Sequence, residues 1–305
     1  PRVRVANNIG IHKSFEQDSS SKLPVLALFI NRLYIMTVSF FYKLYSEGMR
    51  LGVSFEVHVL ASGSDGNCTA VCSEDITILI DAGLSGKQLT GLIKSAGIDP
   101  KQINALLLTH EHVDHVRGAG VLSRRYGIPI CCNPSTLAAS EIGEIESKIL
   151  FNTLEEFNIG HLKIKPLPIN HHAVDPNAFF ISTEKNKFLL ATDLGKVNNE
   201  VFESLGAADF AVIEANHDLR MLDNGPYPIM LKRLIRSERG HLSNIDCAHA
   251  LWASGYGDKK VFLAHLSKNN NIPDLAIHTV SSLLGCRDDK VDCLRTPGDT
   301  RTITL

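Results

Sequence analysis

Charge of either sign is not in excess in this sequence, because 31 Lys and Arg face 33 Asp and Glu for a formal net charge of -2. A global cationic field is therefore excluded, and any nucleic-acid contact has to rest on a local patch. Cysteine is sparse, at seven residues, and none forms a Cys-x-x-Cys pair. That odd, scattered set excludes a disulfide scaffold and reads most simply as reduced thiols of a cytoplasmic protein. Fixed-period repeats, low-complexity stretches and Pro/Gly/Ser-rich linkers are missing between residues 50 and 305, which excludes solenoids and points to one domain. No apolar run reaches the ~18 uninterrupted residues of a spanning helix. The nearest approach, residues 23–45, is broken by Asn31 and Arg32, and no small-residue cleavage site follows Tyr45. No stable membrane association is expected.

What remains is an ordinary globular composition, 44% hydrophobic and 21% charged, on a chain long enough for one large core. Met49-Arg50-Leu51-Gly52 stands directly before the alternating Phe55-Glu56-Val57-His58-Val59-Leu60. Residues 1–48 are accordingly read as an N-terminal extension, either upstream sequence or an accessory tail, and residues 49–305 as the enzyme domain. From Val53 onward, short apolar runs alternate with helical patterns, the signature of an α/β chain. The first run breaks into Ser62-Gly63-Ser64-Asp65-Gly66-Asn67, a loop free to approach a ligand. Ile76-Thr77-Ile78-Leu79-Ile80 is a second strand, stopping at Asp81-Ala82-Gly83, and a helix is expected over residues 88–96. Apolar runs also precede Asp193, Glu214 and His265, so several strands deliver polar residues to their ends.

The chemistry concentrates where the apolar run of residues 103–108 gives way to Thr109-His110-Glu111-His112-Val113-Asp114-His115. His110, His112, Asp114 and His115 put four metal-binding side chains within six residues, at a point where the backbone can curl. Neutral imidazole suits Zn²⁺, Fe or Mn²⁺, and a carboxylate adds the negative charge that helps two dications stay close. A structural Zn²⁺ site would favour cysteine, and none lies in the motif. A lone pair of histidines in a surface loop would mean nothing; the strand-to-turn context gives this cluster its weight.

This His-x-His-x-Asp-His run resembles the hallmark of the metallo-β-lactamase-fold superfamily. The later elements stand in the family's order: His171 in Pro168-Ile169-Asn170-His171-His172, Asp193 in Ala191-Thr192-Asp193-Leu194-Gly195, and His265 in Leu263-Ala264-His265-Leu266-Ser267. The resemblance covers residues 53–305 and implies an αββα sandwich. It implies further that His110, His112 and His171 hold one divalent metal, that Asp114, His115 and His265 hold a second, and that Asp193 bridges them. The two ions, Zn²⁺ or Mn²⁺, would activate a bridging hydroxide for hydrolysis.

Four other segments resemble the YycJ/WalJ-like group, bacterial proteins regarded as cytoplasmic 5'-to-3' DNA exonucleases. They are the loop Ser62 to Thr69, Glu214-Ala215-Asn216-His217-Asp218, Gly240-His241-Leu242-Ser243-Asn244, and His265-Leu266-Ser267-Lys268-Asn269-Asn270-Asn271. His172 departs from the group, where Asp often follows the isolated histidine. The group implies a phosphodiester substrate, with DNA as partner. Lys232, Arg233, Arg236 and Arg239 crowd the stretch before Gly240 and are candidates to track phosphates. Asp114 and His241 are the candidate catalytic residues, with His241 either donating a proton to the leaving oxygen or hydrogen-bonding phosphate. Ser62, Asn67, Arg236, Arg239 and Asn244 are the candidate substrate-binding residues. Two competing functions share the metal centre: a β-lactam or thioester hydrolase, and a catalytically silent metal-binding scaffold.

Overall fold

The computed structural model describes residues 54–296 and 298–305. The proposed boundary at Met49 and the apolar stretch of residues 23–45 lie outside them. Among the described residues, no helix is long and apolar enough to cross a membrane.

Fourteen strands form two seven-stranded sheets. In the first sheet the order is β14 (Arg301–Thr304), β1 (Phe55–Ala61), β2 (Cys68–Ser73), β3 (Ile76–Ile80), β4 (Ala105–Leu107), β5 (Ile130–Cys132) and β6 (Lys148–Leu150). In the second it is β13 (Val291–Cys293), β12 (Val261–Ala264), β11 (Phe210–Glu214), β10 (Lys187–Ala191), β9 (Asn177–Ser182), β8 (Leu162–Pro168) and β7 (Phe157–Ile159). Each sheet is antiparallel on one side and parallel on the other. β14 through β3 pair antiparallel, then β3 to β6 run parallel. Likewise β7 through β10 pair antiparallel, and β10 to β13 run parallel.

Period-2 side-chain alternation sorts the apolar residues into layers. In the second sheet Phe188, Leu190, Phe210, Val212 and Phe262 pack with the first sheet's residues in one core. Their neighbours Leu189, Ala211, Ile213, Val261 and Leu263 belong to another, with Val201, Cys247, Leu251 and Val280 from three helices. Leu89, Ile93 and Leu122 supply the helical layer on the first sheet. Strands covered on both faces read as continuous apolar runs, which is why the sequence pattern was so plain. The architecture is the αββα sandwich.

Boundaries shift slightly. The expected strand over residues 103–108 narrows to Ala105–Leu107. The helix expected from residue 88 begins earlier, as Gly86–Ser95, because Ser85 accepts a bond from the Gln88 N–H and the Gln88 side chain accepts one from Ser85. This reciprocal cap satisfies two donors that a helix start otherwise leaves bare.

Candidate metal centre

Parallel strands of both sheets end on one side of the sandwich, where α/β proteins place their ligands. After β3 comes Asp81, after β4 the His110 to His115 cluster, after β10 Asp193, at the end of β11 Glu214, and after β12 His265. Asp81, Asp193 and His265 have φ of 62°, 60° and 56°. These left-handed conformations are costly for residues with a Cβ and persist only where surroundings enforce them. Here neighbouring chain does so: Thr109 N–H donates to Asp81 Oδ1 at 2.9 Å, and His265 N–H donates to Ser62 Oγ at 2.8 Å.

Two donor sets emerge. Ligand atoms of His110, His112 and His171 lie within 4.8 Å of one another, as do those of Asp114, His115 and His265. Asp193 lies between them: its Oδ2 is 3.3 Å from His115 Nε2, and its Oδ1 is 3.7 Å from His171 Nε2 and 3.6 Å from His265 Nε2. His110 Nε2 and Asp193 Oδ2 are buried without a hydrogen-bond partner among the described residues. Orphaned polar atoms in a core cost ~1–3 kcal/mol each, and divalent cations would supply the missing partners. The nitrogen-and-carboxylate donor set fits a divalent metal ion.

The histidines are oriented from behind. His115 Nδ1 donates to Asp81 Oδ2 at 2.8 Å, His171 Nδ1 to the Gly240 carbonyl at 3.3 Å, and His265 Nδ1 to Glu214 Oε1 at 2.9 Å. Each bond fixes the tautomer that leaves Nε2 facing inward. Glu214 is fully buried and also accepts from His241 Nδ1 at 2.8 Å and from the Leu194 and Leu242 N–H groups. Burial works against its charge, but His241 outweighs it and holds the carboxyl down at about 2. Burial likewise opposes the charged form of His265, yet Asp193, Asp114 and Glu214 prevail and raise it to about 10. His115 is raised by Asp193 and Asp81 against its burial, and His241 by Glu214. His110 and His171 are lowered, chiefly by burial, and so favour the neutral form that binds metal.

A cleft of about 290 Å³ opens over this group. Besides His112, Asp114, His171, Asp193, His241 and His265, its walls include Ser64, His172 and Arg239 on the polar side, and Leu231, Leu234 and Ile235 on the apolar side.

The structure places the expected substrate-binding residues unevenly. Arg239 borders the cleft, with Nε and Nη2 donating to the His171 carbonyl at 3.3 and 3.1 Å. Arg236 does not line it and instead pairs with Asp223. Ser62 and Asn67 turn inward: Ser62 receives the His265 N–H, and Asn67 binds Gly63 N–H and the Asp114 carbonyl. Ser64 is the residue of that loop that faces the cleft. Asn244 is buried and exchanges amide bonds with Asn271 at 3.0 and 2.8 Å. Asn271 also donates to the Ala215 carbonyl, and Asn216 to the His265 carbonyl. The asparagine-rich segments thus lace the loops after β11 and β12 together. Asp81 was visible only as a polar residue ending an apolar run, and Glu214 also as the first residue of a segment resembling the YycJ/WalJ-like group; their role as orienting carboxylates comes from the geometry.

The comparisons with known proteins agree with this architecture. Residues 61–236 match the family model described as the metallo-beta-lactamase superfamily. The chain is 38% identical over 243 residues to the exodeoxyribonuclease WalJ of Streptococcus pneumoniae strain R6, covering 77% of this chain and 90% of that protein. It is 38% identical over 240 residues to the exodeoxyribonuclease YycJ of Bacillus anthracis, with the same coverage of 77% and 90%. Among solved structures, the metallo-beta-lactamase fold protein YhfI of Bacillus subtilis superposes with a TM-score of 0.65 at 17% identity, covering 82% of this chain and 100% of that one. The chain therefore belongs to the metallo-beta-lactamase superfamily and, within it, to the WalJ- and YycJ-like proteins.

Proposed function

We propose that this chain is a dinuclear-metal phosphodiesterase that shortens DNA from a 5' end. The observation that carries the reading is the pair of donor sets joined by Asp193, beneath a cleft bordered by Arg239. The names of the 38% identical relatives support DNA as substrate. Two dications, Zn²⁺ or Mn²⁺, bound there would lower the pKa of a water and neutralise charge on phosphate. His110, His112 and His171 are assigned to one ion, Asp114, His115 and His265 to the other, and Asp193 to both.

The chain's own residues do the rest. Glu214 takes the Nδ1 hydrogen of His241, which leaves Nε2 as the nitrogen able to serve the leaving 3' oxygen. Against the effect of burial, the same carboxylate shifts His241 toward the protonated form that a proton donor needs. Arg239 borders the cleft as an anion contact and pins the loop bearing His171.

The test is digestion of duplex DNA labelled at the 5' or the 3' end, with Mn²⁺ or Zn²⁺ supplied. Early release of the 5' label as a mononucleotide or short product is expected. Stepwise loss from the 3' end, or intact DNA beside efficient cleavage of RNA or a β-lactam, would overturn the reading.

A further inference from the structure

The helix Ile229–Ile235 forms the apolar wall of the cleft, yet of its apolar side chains only Ile235 is buried. Met230 is 73% exposed, Leu231 37% and Leu234 42%. Single exposed apolar residues mean little; a contiguous group on the rim of a reactive cleft calls for an occupant. At ~100° per residue, Leu231, Leu234 and Met230 follow one another round the helix from the cleft outward, and Arg233 comes next. Lys232 donates to the Asp223 carbonyl and Arg236 pairs with the Asp223 carboxylate, whereas Arg233 has no ion-pair partner among the described residues.

Whatever lies here meets a cationic rim and metal-binding floor at one end and a short aliphatic strip beside it. A nucleotide has that layout, an anionic phosphate joined to a flat apolar base. With Ile229, 69% exposed at the start of the helix, the patch has four apolar side chains, still too little for a stable dimer, whose interface needs more than ~1,000 Å². They do match the faces of one or two bases, and Leu and Met serve elsewhere as wedges between base steps.

Resting on the nuclease reading above, we propose that Leu231, Leu234 and Met230 form a base platform. The terminal bases of the strand being cut pack on it, unpaired, while Arg233 meets a phosphate farther along. The duplex end must then fray before it is cut, and the platform holds it open.

The experiment compares two oligonucleotides of one sequence, one carrying normal nucleotides at the 5' end and the other two abasic residues there. The full metal-loaded chain should favour the base-bearing end about fivefold or more in kcat/KM, the low end of base-packing effects. In Leu231→Ser with Leu234→Ser this ratio should fall to about one, whereas Leu231→Met with Leu234→Met should preserve it. Metal content and Tm verify that each variant is folded. A 2-aminopurine at the 5' terminus gives a second readout, its emission changing on binding to the unaltered chain and not to the serine variant. Equal cleavage of both ends by the unaltered chain, or a serine variant that keeps the preference, overturns the platform. So does a serine variant that loses only a dimer. If neither oligonucleotide is cut, the nuclease reading falls instead, and the 2-aminopurine signal decides the base contact by itself.

Discussion

The same turn is built twice, once in each sheet, and put to different uses. β3 runs into Asp81-Ala82-Gly83 and β10 into Thr192-Asp193-Leu194-Gly195, so each first parallel strand ends in Asp-x-Gly with the aspartate left-handed. Both glycines are required by space. A Cβ on Gly83 would stand 1.6 Å from the Asp114 carbonyl oxygen, and one on Gly195 would stand 2.3 Å from the Glu238 backbone. In the first sheet, a ligand-bearing loop closes over the turn, and Asp81 ends up behind His115 as its orienting partner. In the second, the loop that closes carries Arg239 and His241, and Asp193 projects into the centre. What separates an aspartate that orients a histidine from one that faces both donor sets is which loop covers it, since the local sequence is alike.

The sharpest way to break that comparison is to exchange the two aspartates for neutral residues and count metal. Asp193→Ala should take metal content from about two ions to well below one, and DNA turnover should drop about 10⁴-fold, as expected of a group acting with others as a unit. Asp81→Asn keeps a side chain that tolerates the left-handed backbone, so only the support of His115 is lost. Metal affinity should fall about 10- to 100-fold at one site, read by competition with a chelator. Equal losses in the two variants would mean that the turns are not functionally distinct.

Glu214 has no counterpart of equal reach in the first sheet, because it serves His241 and His265 together. Glu214→Gln should slow cleavage about 10²- to 10³-fold, within the range of general-acid effects. The pH profile separates this from simple misfolding. A carboxylate raises the pKa of a neighbouring histidine, so its loss lets His241 deprotonate sooner, and the alkaline limb of activity should move to lower pH. An unmoved limb would sever the link between Glu214 and proton donation.

The smallest effect concerns the two arginines near the second turn. Arg239→Ala should raise KM for DNA several-fold and reduce its dependence on salt, since a phosphate contact is lost. Arg236→Ala should change KM less than about twofold, as exposed ion pairs such as that with Asp223 contribute little. Kinetics over a salt series decides between them.

The histidine cluster was legible because its members are close in sequence and sit on a strand end. His171, Asp193 and His265 were reached through the family resemblance. Ser62, Asn67 and Asn244 were read as substrate contacts because loops rich in Gly, Ser and Asn often face ligands. Such side chains serve equally well to satisfy backbone groups, and here they bind Gly63, His265 and Asn271. Arg236 was misplaced for a related reason: sequence shows a run of cations but not the Asp223 that neutralises one of them. The apolar wall of the cleft was invisible, since Ile229 to Ile235 reads as an ordinary helix until its exposure is known.

One feature of the first sheet reaches beyond the site. β1 lies between β2 and β14, with Glu56 opposite Thr304 and Val59 opposite Arg301. On a ribosome, the hairpin β1–β2 emerges among the earliest strands described, while its other neighbour is the last of the described strands to follow. Until then β1 presents an open row of N–H and C=O groups flanked by buried Phe55 and Val57, the kind of surface that recruits a stray strand. Closing the sheet joins ends separated by nearly the whole domain, a contact that folds slowly. Synthesis therefore leaves a vulnerable interval whose length is set by translation speed.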